Sequence, residues 1–252
     1  VVPSIPQTME KRASLAEAMS RKGLEKNLSQ SVAQLAGAIT DDREDDYDQL
    51  SPDWHVSNSE GYALWFESKF PKLLLEKVAR ARVDKLPERH QKSPLQHCIQ
   101  ILKRHRDVMF EKNPDPKPIS IIITTLAASA YGGEEDLHAA MRSIASGMRK
   151  YINPSEPRVP NPVNPDEDFA DRWAMEEGKK LNLEGHFKKW LDAVERDFGT
   201  LETSTDPMAL QKVASTNFRV LLNEDTSKAI ARNNGLLAKA ATLKNNARTS
   251  AT

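Results

Sequence analysis

Apolar residues recur along this chain at spacings that predict mostly helix. Val1 to Pro6 reads as the end of a strand running into a proline-bounded loop. Between residues 8 and 39, Leu15, Ala18 and Met19, then Leu28, Val32 and Leu35, fit two short amphipathic helices interrupted near Gly23. Asp41 to Asp46 is an acidic segment of the kind that forms a solvated loop. Ser57 to Glu60 offers an N-cap for a helix that carries Tyr62, Trp65, Phe66, Leu73, Leu74, Val78 and Ala81 on one side to about residue 83, with Pro71 as a kink. A charged connector follows over 84–93. The clearest helix starts at Pro94, a residue well suited to a first turn. Leu95, Cys98, Ile99, Leu102, Met109 and Phe110 keep the 3.6-residue period, and Gln96, Gln100, Lys103, Arg104 and Asp107 occupy the other face.

Beyond a proline-rich turn over Asn113 to Pro118, the run Ile119 to Tyr131 sends two signals. Ile121-Ile122-Ile123-Thr124-Thr125 favours a strand by propensity, whereas the small residues after it and the length of the run favour a buried helix, the assignment made here. Gly132-Gly133 ends it, and Glu134-Glu135 opens an amphipathic helix to about Tyr151. Residues 153–165 hold five prolines and no periodicity, which predicts an extended surface loop. Helices are expected near 166–180, 183–198 and 206–222, and the tail from about Asn233, rich in Ala, Lys, Asn and Thr, reads as a short helix that frays.

Composition narrows the function. Lys+Arg and Asp+Glu both number 36 and aromatic residues make up 6%, so general affinity for nucleic acid has no electrostatic basis and any basic site must be local. The single cysteine, Cys98, excludes an internal disulfide and fits a cytoplasmic origin. No apolar run approaches the ~18 residues of a membrane span. The motifs GxSxG, HExxH, CxxC, GxGxxG and the phosphate-binding Walker A loop are absent, and the six histidines show no metal-ligand spacing; His97 and His105 share a helix but lie eight residues apart. Asp45-Asp46-Tyr47-Asp48 lacks a preceding Gly-Ser turn and reads as loop rather than metal site.

What remains is the basic cluster Lys103-Arg104-His105-Arg106, on a helix whose other side is core. It fits either a solvated polar face or a clamp for phosphates, since ammonium and guanidinium donors neutralise phosphate charge. Ser120, 17 residues on, opens the next apolar segment, where helix amides bind anions readily or where a serine simply caps. One of Arg104 and Arg106 has a competing role as ion-pair partner of Asp107 or of the acidic loop. Tyr62 and Trp65 fit nucleobase stacking or, more simply, core.

PLQHCIQILKRHRDVMF (94–110) followed by KPISIIITTLAASAY (117–131) resembles the characteristic helical segment of the bacterial CD-NTases, the cGAS/DncV-like nucleotidyltransferases that make cyclic di- and trinucleotide signals in anti-phage defence. DWHVSNSEGYALWFESKF (53–70) is similar to a segment of the same family that reads SNPxGYxxWF, and NPVNPDEDFADRW (161–173) is a third match. Together the matches span residues 54 to 173. The resemblance implies a mainly α chain: a helical bundle like the C-terminal domain of 2′-5′-oligoadenylate synthases over 56–232, a remnant of the polymerase-beta-like α/β sheet with the acidic loop over 1–55, and a flexible tail over 233–252. It implies NTP substrates, Mg²⁺ held by carboxylates, and Lys103 and Ser120 as contacts to the triphosphate, with Arg104 and Arg106 as weaker candidates. In the family a strand reading roughly Asp-Val-Val-Pro carries the third catalytic aspartate, so Val1-Val2-Pro3 would follow it directly. The earlier GS…DxD segment does not occur in this sequence. On this reading the catalytic carboxylates lie upstream of Val1, the chain is the C-terminal part of the enzyme, and alone it is inactive. The rival reading is a catalytically inactive helical scaffold or regulatory module. A regulatory protein partner is compatible with either; activation by nucleic acid is disfavoured by the neutral charge.

Overall fold

In a computed structural model the chain is described over residues 4–40, 49, 54–70 and 92–249. The elements among these residues are β1 (Ser4–Pro6), α1 (Met9–Arg21), α2 (Lys26–Gln34), β2 (Gly37–Ile39), β3 (His55–Ser57), α3 (Ser59–Glu67), α4 (Pro94–Met109), α5 (Ser120–Ala130), α6 (Leu137–Gly147), β4 (Pro160–Asn161), β5 (Asn164–Asp168), α7 (Glu176–Lys180), α8 (Leu183–Thr203), α9 (Pro207–Phe218) and α10 (Glu224–Thr249). Short 3-10 turns occupy Met148–Tyr151 and Asp171–Trp173. The fold is mainly helical with two small antiparallel sheets. The acidic segment 41–46, Asp48, the stretch 71–83 and the connector as far as residue 91 lie outside the described residues.

β1, β2 and β3 form the first sheet in that order, with Ile5 opposite Ala38 and Ala38 opposite Val56. The side chain of Asn58 fastens this sheet to the helices. Its carbonyl oxygen accepts from the Gly61 amide at 3.1 Å and caps α3, while its amide donates to the Val32 carbonyl at the end of α2 at 3.0 Å. Gly61 has to be glycine here, because a Cβ would meet the Asn58 Oδ1 at 2.3 Å. α3 ends at Glu67, earlier than the periodicity suggests, with Ser68 Oγ donating to the Trp65 carbonyl.

α5 is central to the core. Ile122, Ile123, Thr125, Leu126, Ala127 and Ala128 are all buried, and the helix packs against α4, α6 and the turn at Met148–Tyr151. β-branched residues lose some helix propensity through χ1 restriction, but burial around most of the circumference outweighs that cost. Small residues let the neighbours close in: Gly147 lies where a Cβ would meet Ala130 at 3.0 Å. The proline-rich stretch contains a hairpin, β4 with β5, rather than only a loop, because the Asp168 carboxylate gathers the amides of Arg158, Val159 and Ala170. Helix over 166–180 is replaced by β5, the second 3-10 turn and the five-residue α7.

α8 carries the largest buried aromatics, with Phe187 between Trp173 and Trp190 at centroid distances of 5.3 and 5.5 Å. α10 runs unbroken through residue 233, where composition suggests that a tail begins. Asn234, buried, donates to the carbonyls of Leu201 and Ser204 and ties α10 to the end of α8.

A polar network crosses the core where α4, α8 and α9 meet. His105, 2% exposed, places Nε2 3.0 Å from the Asp197 Oδ2; Asn217 donates to the same oxygen at 2.7 Å, and Arg196 Nε donates to Oδ1. Nδ1 of His105 has no partner, so this ring fits the neutral Nε2–H tautomer, donating to Asp197. Burial pushes the His105 pKa below the usual histidine value of 6.5 and outweighs the opposing pull of Asp197. The unfolded chain therefore holds this proton more tightly than the folded one, and stability falls as pH drops through the window just below 6.5. Urea midpoints between pH 7.5 and 5.5 should decline for the native chain and decline less for His105→Gln; identical slopes would contradict the neutral buried imidazole.

Candidate functional site

The end of α4 and the start of α5 face each other across the proline-rich turn. Ser93 begins α4 with a capping box, its Oγ accepting from the Gln96 amide and the Gln96 side chain accepting from the Ser93 amide, and Pro94 follows at the first position. These local devices fix the helix phase, and that phase decides where each basic residue points.

Arg106 is 7% exposed and fully engaged. Nη1 donates to the Pro118 carbonyl at 3.0 Å and to Ser120 Oγ at 2.9 Å, while Nε and Nη2 donate to Asp107 Oδ1 at 3.0 and 2.8 Å. Lys117 approaches the same carboxylate at 3.6 Å. Arg106 is thus the ion-pair partner of Asp107 that one of the two arginines was expected to be, and it also holds Ser120 in place.

Ser120 is the first residue of α5, exposed, and Ile119 ahead of it provides no side-chain cap. The first-turn amides of α5 therefore have no side-chain acceptor, and the positive end of the helix lies beside the Arg106 guanidinium. Lys103, one turn back on α4, is half-buried and makes no ion pair or side-chain hydrogen bond among the described residues. Burial, and then the neighbouring Arg106 cation, push its pKa below the usual lysine value. A half-buried cation beside another cation is favoured by any anion that settles between them.

Arg104 goes elsewhere. At 100° per residue it leaves the Lys103 side of α4, and it lines an apolar cavity of about 450 Å³ with Phe198, Leu201, Phe218, Leu222 and Ile230. The structure therefore brings Arg106 and Ser120 together, sets Lys103 on the same stretch of α4 as Arg106, and separates Arg104 from them. Tyr62 and Trp65 belong to the core: Trp65 is 3% exposed and Tyr62 packs on it at 5.2 Å while its hydroxyl lies 2.9 Å from Thr125 Oγ1. Burial pushes the Tyr62 hydroxyl up to about 12. Met109, expected on the apolar face, is exposed. Sequence reasoning missed Lys117, whose only signal is its place three residues before Ser120, and missed the buried His105–Asp197 pair, which no local pattern announces.

Among the described residues no group of three or more His, Cys, Asp or Glu could hold a metal ion, so these residues do not fit a Mg²⁺ site and no step is derived through one. No described helix is long and apolar enough to cross a membrane.

No protein-family model matches the chain. Over 162 residues, 62% of this chain, it is 33% identical to a c-di-GMP synthase of Roseivirga ehrenbergii. The chain covers 42% of that curated relative's length. Among solved structures it is similar to the Bradyrhizobium diazoefficiens CD-NTase CdnG in complex with GTP, with a TM-score of 0.47 and 19% identity over 79% of this chain and 59% of that one. The sequence likeness is to a nucleotide-cyclising enzyme, the class of protein that its motifs resemble. The particular relative matched in sequence is a cyclic-dinucleotide synthase.

Proposed function

We propose that this chain forms the helical C-terminal part of a nucleotidyltransferase that joins NTPs into a cyclic di- or trinucleotide messenger used in anti-phage signalling, and that Lys103 and Ser120 receive the triphosphate of an incoming nucleotide. The observation that carries this reading is the half-buried Lys103, without an ion pair among the described residues, beside the Arg106–Ser120 clasp at the open end of α5. The 33% identity to a c-di-GMP synthase supports the reaction class. In such a reaction, charge neutralisation and positioning do most of the work. Lys103 would supply a mobile charge, Ser120 a hydroxyl held at a fixed place, and the first-turn amides of α5 further donors. The bundle would correspond to the helical lobe of 2′-5′-oligoadenylate synthases, with the metal-holding carboxylates outside the residues described.

The protein would be incubated with each radiolabelled NTP plus Mg²⁺ or Mn²⁺, and phosphatase-resistant products resolved by thin-layer chromatography, alongside calorimetric titration of the same NTPs. Binding by the native chain is expected, with Lys103→Met weakening it at least about tenfold, the scale of one charge-assisted hydrogen bond, at an unchanged urea midpoint. NTP affinity that ignores Lys103, or none at all, would leave a helical scaffold as the better account.

A further inference from the structure

Below the opposite side of α5 lies a second cavity, of about 530 Å³, whose chemistry the nucleotide reading does not use. Thr125 and Ser129, which line it, sit roughly 140–180° around the helix from Ser120, at 100° per residue. Its other walls come from distant parts of the chain: the end of α1, the end of α3, the 3-10 turn at Met148–Tyr151 and the β4–β5 hairpin.

Three of these walls each contribute a lysine. Lys22 follows α1, Lys69 follows α3, and Lys150 sits in the 3-10 turn. No aspartate or glutamate lines the cavity among the described residues. None of the three ammonium groups makes an ion pair or hydrogen bond among the described residues. The contrast with the neighbouring residue is direct. Arg149, beside Lys150, is paired with Asp192 and Glu195 on α8. Lys69 is half-buried and lies 5.0 Å from the centre of the Trp65 ring, an aromatic face being its one favourable partner among the described residues. Burial holds its pKa below the usual lysine value. The Tyr151 hydroxyl, in the same wall, is a further donor without a partner among the described residues.

We infer that this cavity is a binding site for a small phosphorylated polyanion, with the ammonium groups of Lys22, Lys69 and Lys150 converging on its phosphates and the Tyr151 hydroxyl as an additional donor. Three ammonium-bearing side chains on one concave wall, with no carboxylate among its described lining residues, favour a multiply charged anion. Lysine presents a point charge, which suits phosphate oxygens of varied geometry. The volume falls within the range of small-molecule sites. Trp65 is 3% exposed and already covered by Lys69, so recognition rests on charge rather than on stacking of a base.

The site is tested in a Lys103→Met background, which removes the phosphate contact proposed above and keeps the two readings apart. Isothermal titration with inorganic tripolyphosphate should still show one binding event. Adding Lys69→Met, and separately Lys150→Met, should weaken it about tenfold or more each, while urea midpoints stay within the scatter of the native chain. Citrate, a polycarboxylate of similar charge, should bind more weakly than tripolyphosphate. No heat with tripolyphosphate, an affinity indifferent to Lys69 and Lys150, or citrate binding as tightly would each overturn the assignment. If instead Lys103→Met leaves all NTP binding intact, the nucleotide reading fails and the polyanion site still stands or falls on the lysine variants.

Discussion

Asp197→Ala is expected to lower stability by about 3 kcal/mol, the largest single loss among the polar residues considered. The carboxylate is 4% exposed and receives three donors from three helices: His105 of α4, Asn217 of α9 and its own neighbour Arg196 on α8. Its removal strands the buried His105 Nε2–H and leaves the half-buried Asn217 amide without its acceptor, and a buried orphan costs about 1–3 kcal/mol. The cavity left by the lost side chain adds to this. Urea denaturation should show the loss as a lower midpoint with an unchanged slope. Asp197→Asn, which keeps an acceptor oxygen, should lose less. A loss under about 1 kcal/mol for the alanine variant would mean that the network has little hold on the junction of α4, α8 and α9.

Arg106→Met is expected to cost about 2–3 kcal/mol and to weaken nucleotide binding as well. The guanidinium satisfies the Pro118 carbonyl, holds Ser120 Oγ and pairs with Asp107, so one side chain closes the turn between α4 and α5. Methionine fills the same volume without donors, leaving the Pro118 carbonyl unpaired and the Ser120 hydroxyl free to rotate. Lys103→Met removes a charge that supports nothing in the fold, and its predicted signature is therefore weaker binding at unchanged stability. On the function proposed, the comparison of the two variants separates a residue that would touch the ligand from one that positions others. Arg106→Met with a native urea midpoint would show that the clasp is not formed in solution.

Helices were the legible part of the sequence. The start of α4 was legible from Pro94, and the period of Leu95, Cys98, Ile99 and Leu102 fixes which face goes inward; the structure adds the local capping box of Ser93 and Gln96. α1 and α2 break near Gly23, whose φ of +94° few other residues adopt without strain. The hairpin over 160–168 was not legible, because its strands are only two and five residues long and are held by Asp168 gathering backbone amides rather than by alternation. The length of α10 was missed for a related reason: its composition is polar, and only the packing of residues such as Asn234 on α8 accounts for the ordered helix at that point.

The site divides along the same line. Sequence alone determined that a basic cluster sits on an amphipathic helix and that Ser120 opens the next one, because both statements depend on residues close together in the chain. Only the family resemblance set Lys103 above Arg104 and Arg106; the local pattern did not say where each of these neighbouring side chains goes. Tertiary structure decided that, since 100° of rotation per residue carries Arg104 toward an apolar cavity under α9 and α10 and Arg106 into a buried clasp, and leaves Lys103 a half-buried cation without an ion pair among the described residues. The convergence of Lys22, Lys69 and Lys150 is further still from any local pattern. They line one cavity because the segments that carry them, the ends of α1 and α3 and the turn after α6, are gathered around the core to which α5 contributes its buried side chains.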